Sequence, residues 1–126
     1  MSLLRKVGFF FELPSEQRIE ALRSIHQEAA QADEEKIVGY LESGTVYGAM
    51  PGVEQDVLSH PPQAIGPTHI QTDGTWAWPV TLIYYVRRYH IALPEEFVRH
   101  MRLGGWRCPL NVNVGQLILE GEGPIG

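Results

Sequence analysis

The chain has 126 residues, 44% hydrophobic and 20% charged, which is enough for one domain with its own core and too apolar for wholesale disorder. A formal charge of −5 at pH 7 argues against a role built on non-specific phosphate contacts, so nucleic acid is not the expected partner. A single cysteine, Cys108, excludes an intrachain disulfide and suits a reducing cytoplasm, and no apolar run is long enough to cross a membrane.

From the amino end, Val7 to Leu13 (VGFFFEL) reads as a strand or the first turns of a helix, with its length and aromatic triplet favouring a strand. Pro14 fits a first helical turn, and Ile19, Leu22, Ile25 and Ala29 then recur at near-helical spacing. Asp33 can cap a second helix that reaches Ser43, with Ile37, Val38 and Leu41 inward and Gly44 as its stop. Helices this close in sequence are expected to pack as an antiparallel pair. Residues 45–67 are broken by glycines and prolines. They read as a flexible loop with room for one helical turn around 53–59.

The densest stretch runs from Thr68 to Leu103. Asp73-Gly74 between two short runs signals a β-hairpin over 68–78 with a two-residue type I′ turn, because Asp and Gly tolerate φ > 0. That turn would set Thr72 opposite Thr75, Gln71 opposite Trp76, Ile70 opposite Ala77 and His69 opposite Trp78. Alternation then puts His69, Gln71, Trp76 and Trp78 on one face, and Ile70, Thr72, Thr75 and Ala77 on the other. The indole face is either core or the wall of a pocket.

Pro79 opens a third helix that reaches His90, with Leu82, Ile83, Val86 and His90 in one stripe and Tyr85 and Tyr89 as an i,i+4 pair beside it. Pro94 opens a fourth, with Glu95 and Glu96 in its first turn, Phe97, Val98 and Met101 inward and Gly104-Gly105 as its stop. Leu110 to Glu120 alternates and reads as a strand or hairpin, and the tail 121–126 reads as loose. These elements predict one α+β domain: a small antiparallel sheet that includes the hairpin, with about four helices packed on it.

Little in the sequence speaks of catalysis. The five histidines fall in no metal-binding spacing, so no metal or other cofactor is expected. No phosphate loop, dinucleotide fingerprint or nucleophile elbow is present. The carboxylate pairs Glu34-Glu35 and Glu95-Glu96 sit at helix starts, which accounts for them. The candidate binding residues are instead amphipathic: His69, Asp73, Trp76, Trp78, Tyr85, Arg87 and Arg88, since aromatics and arginine are enriched where proteins meet.

The pattern Thr72-Asp73-Gly74, Trp76, Trp78-Pro79, Tyr84-Tyr85, Tyr89, Leu93-Pro94, Phe97 resembles a segment of small bacterial proteins, some of them similar to immunity proteins that neutralise a toxin. The resemblance covers about a quarter of the chain. It implies a non-enzymatic role with a protein partner and brings no catalytic residue with it. Two other readings stand beside it: a small-molecule or enzymatic pocket lined by the aromatics and arginines of 69–89, and a structural subunit of a larger assembly. Oligomeric state is left open.

Overall fold

The computed structural model describes residues 2–120. Ser2–Lys6 forms β1, Ser15–Ile25 α1, Glu34–Glu42 α2, Thr45–Gly48 β2, Val53–Asp56 β3 and Gln63–Pro67 β4. Ile70–Thr72 is β5, Trp76–Pro79 β6, Thr81–Tyr89 α3, Glu95–Leu103 α4 and Leu117–Leu119 β7. The fold is α+β, with a five-stranded sheet in the order β2-β5-β6-β1-β7 and a separate β3-β4 hairpin.

The large sheet is mixed where an antiparallel one was expected. β2, β5 and β6 pair antiparallel, but β1 runs parallel to both β6 and β7. The first strand is Ser2–Lys6, and the apolar run after it holds a 3-10 turn over Phe10–Glu12 in place of a strand. The run is split between two cores: Phe9 and Phe11 lie against one side of the sheet, and Phe10 packs on the other.

The hairpin exists, with its register moved by two residues. Ile70 pairs with Pro79, Gln71 with Trp78 and Thr72 with Ala77, which leaves 73–75 between the two strands. The cause is the Asp73 side chain. Its Oδ1 accepts the backbone N–H groups of Thr75 (2.8 Å) and Trp76 (2.7 Å), an Asx-type turn that stands in for a type I′ one. Gly74 alone takes positive φ, at 96°. A slip of two preserves side-chain parity, so the face assignment survives. Trp76 and Trp78 lie in the main core with residues of all four helices, while Ile70 and Ala77 join Leu4 and Leu119 on the opposite side.

The indole face also anchors a helix. The Trp78 Nε1–H donates to the Leu41 carbonyl at 3.1 Å, and the Gln71 side-chain amide donates to the Gly44 carbonyl at 3.1 Å. Two carbonyls at the end of α2 thus gain donors. Gly44 is required for that approach, because a Cβ there would lie 2.6 Å from Cζ2 of Trp78. The neighbours of α2 are α3 and α4, where an antiparallel pair with α1 was expected.

Residues 45–67, expected as a loop, hold β2, β3 and β4. The reason is visible in β3, where Glu54 and Asp56 point inward and Val53 and Gln55 outward. The period is that of a strand, with carboxylates in the buried phase. Of Leu110 to Glu120, only Leu117–Leu119 is strand, after a 3-10 turn over Val114–Gln116. The tail expectation falls on 121–126, outside the described residues. No helix among the described residues is long and apolar enough to cross a membrane.

Candidate functional site

The seven candidate residues do not form one surface. Trp76, Trp78 and Tyr85 are buried, and Trp76 stacks on Phe97 with ring centroids 4.8 Å apart. The Arg5 guanidinium closes the outer side of Trp76 at 4.3 Å from the ring centroid, itself held by Glu96 at 2.7 Å. His69 is half-buried and its carbonyl accepts the Val80 N–H, which joins hairpin to helix. Arg87 is exposed and pairs with Glu42 at 3.0 Å; Arg88 lies over the Tyr89 ring at 5.1 Å. The indoles are therefore architecture, and neither a docking face nor a pocket wall is built from them.

Asp73 is different. Its carboxylate is fully enclosed. Besides the two turn amides it accepts the Tyr40 hydroxyl on Oδ2 at 2.5 Å, and the His100 Nε2 lies 3.2 Å from the same oxygen. One carboxylate from the hairpin thus ties down α2 through Tyr40 and α4 through His100. Burial, then the bond to Asp73, holds the Tyr40 phenol far above the ordinary tyrosine range. Cys108 sits beside Tyr40, its Sγ 3.2 Å from that residue's carbonyl. Burial pushes the thiol up, which keeps it protonated and poorly nucleophilic.

A second buried centre joins β3 to α3. Asp56 accepts the hydroxyls of Tyr84 (2.7 Å) and Tyr89 (2.6 Å) on Oδ2 and the Leu58 N–H on Oδ1. Glu54 accepts the Thr81 hydroxyl at 2.7 Å, and the Tyr85 hydroxyl donates to the Gln55 carbonyl at 3.3 Å. Four hydroxyls on one helix thus meet one strand. Burial first, and then the bonds to Asp56, raise the Tyr84 phenol to about 12 and hold the Tyr89 phenol higher still. The tyrosines were prominent in the sequence, but their carboxylate partners lie 28 and 33 residues away in what looked like loop. A period-two reading of Val53-Glu54-Gln55-Asp56 was the one available signal.

The exposed charge is uneven. Residues 16–35 hold six acids against two arginines, which accounts for −4 of the formal charge. One of those arginines, Arg18, is turned onto the carbonyls of Phe10, Phe11 and Leu13. Glu16, Glu20, Glu28 and Glu35 are exposed and have no ion-pair partner among the described residues. Elsewhere four cations are matched to acids, in Arg5–Glu96, Lys6–Glu12, Arg87–Glu42 and Arg99–Glu95. Among the described residues no three His, Cys, Asp or Glu side chains are grouped to hold a metal. Compared with models of known protein families, with curated proteins and with solved structures, the chain matches none.

Proposed function

We propose that this chain is a non-enzymatic protein-interaction domain that offers the acidic stretch 16–35 to a basic protein partner, in the manner of an immunity-type inhibitor of a bacterial toxin. The observation that supports this reading is the set of exposed carboxylates Glu16, Glu20, Glu28 and Glu35, on α1, the segment after it and the start of α2, which form no ion pair among the described residues. Uncompensated charge of one sign raises the on-rate for an oppositely charged partner and rejects like-charged ones. A cytoplasmic setting goes with the reading, since the one cysteine is buried and free.

The test is capture of partners from a native-host extract by the wild-type chain and by a Glu16→Lys, Glu20→Lys, Glu28→Lys variant. These positions are exposed, so the variant should stay folded. Capture is repeated at about 0.1 M and about 1 M salt, between which the screening length falls from ~10 to ~3 Å. The expected outcome is a basic protein retained by wild type at low salt, and lost both in the variant and at high salt. The same proteins held equally by wild type and variant would refute the assignment.

A further inference from the structure

We propose that the cleft between the start of α1 and β3 binds a small amine–carboxylate zwitterion the size of a free amino acid. The cleft encloses about 320 Å³, and its walls include Phe11, Ser15, Arg18, Gly52, Glu54 and Thr68. That volume is at the small end for ligand sites.

Glu54 is 4% exposed. Its Oε1 accepts the Thr81 hydroxyl, whereas Oε2 is buried with no hydrogen-bond partner among the described residues. Folded proteins rarely leave such an oxygen unbonded, because its desolvation is then uncompensated. The Tyr85 hydroxyl lies close enough to bond Glu54 as well, and Glu54 stands in the cleft wall, so a further donor arriving there meets the same carboxylate.

The opposite charge stands in the same wall. The Arg18 guanidinium is fixed by Nε to Phe10 (3.0 Å) and by Nη2 to Phe11 (3.0 Å) and Leu13 (3.1 Å), with Nη1 unspent on the described residues. Arg18 and Glu54 form no ion pair with each other. Both act on Tyr85, whose phenol is raised by burial, then by the Glu54 charge and a hydrogen bond to Glu54, and lowered by Arg18. Two fixed, opposite charges that share a cleft without pairing suit a ligand carrying both. The ammonium group goes to Glu54 and the carboxylate to Arg18. Ser15 and Thr68 stand alongside in the same wall. A simple anion would meet the Glu54 charge, and a metal would lack a third ligand among the described residues.

The test titrates the full chain, ¹⁵N-labelled, with individual free amino acids, and then titrates any that bind against their N-acetyl and decarboxylated forms. At least one free amino acid should shift the Gly52, Glu54 and Thr68 amides. Removing either end of the ligand, or making Glu54→Gln, should weaken binding by about tenfold or more. Should Glu54→Gln not fold, the truncated ligands on wild-type protein decide the matter alone. The proposal is overturned if no free amino acid moves those amides up to roughly 10 mM. It is equally overturned if the N-acetyl form, the amine or the Glu54→Gln protein binds as well as the parent pair.

Discussion

Two side chains show why burial here is polar as well as apolar. Tyr40 keeps its ring among Trp78 and Phe97 while its hydroxyl meets the enclosed Asp73 carboxylate. Tyr40→Phe should therefore keep the packing and lose about 1.5–3 kcal/mol in a urea titration, since it strips a donor from a buried charged acceptor. Tyr84 gives a pH signature. Its phenol is raised to about 12 in the fold, against ~10 for the unfolded chain. Between these values the unfolded state has lost a proton that the native state keeps, so stability falls as pH rises. The contribution is complete below pH ~10 and disappears toward pH ~12. Urea midpoints measured across that window should drop steeply for wild type and less steeply for Tyr84→Phe.

Among the elements, the helices announced themselves. Pro14 and Pro94 stand just ahead of α1 and α4, and Ile37, Val38 and Leu41 are buried as their spacing implied. The hairpin was legible in its faces and misread in its register, because turn statistics describe backbone preference and Asp73 used its side chain to make another turn. β1 was missed because Ser2–Lys6 is short and carries two cations, one of which caps Trp76 from outside. β3 was missed because buried acids look like loop until their hydroxyl partners on α3 are known. Pairings across tens of residues leave no local mark. The union of α2 with the hairpin has its own test. Gly44→Ala must displace the Trp78 ring, and overpacking of this kind costs about 1–3 kcal/mol, readable as a lower urea midpoint with an unchanged m-value.

For the molecule as a whole, the aromatic segment and the acidic segment lie apart. The aromatic hairpin organises the core, its indole face closed by Phe97 and Arg5, and the proposed recognition rests on the charge outside it. Only the charge balance of the candidate surface was legible beforehand, because whether an indole faces protein or solvent is decided by the helices that cover it. α1 is the least embedded helix, with Leu22 its one buried residue, and it carries Glu16 and Glu20 outward. The most direct measurement is amide hydrogen exchange on the chain alone and bound to a protein captured as above. The account predicts slowed exchange over residues 16–35 in the complex. Protection confined to β2, β7 or the β3-β4 hairpin, with 16–35 unchanged, would contradict it.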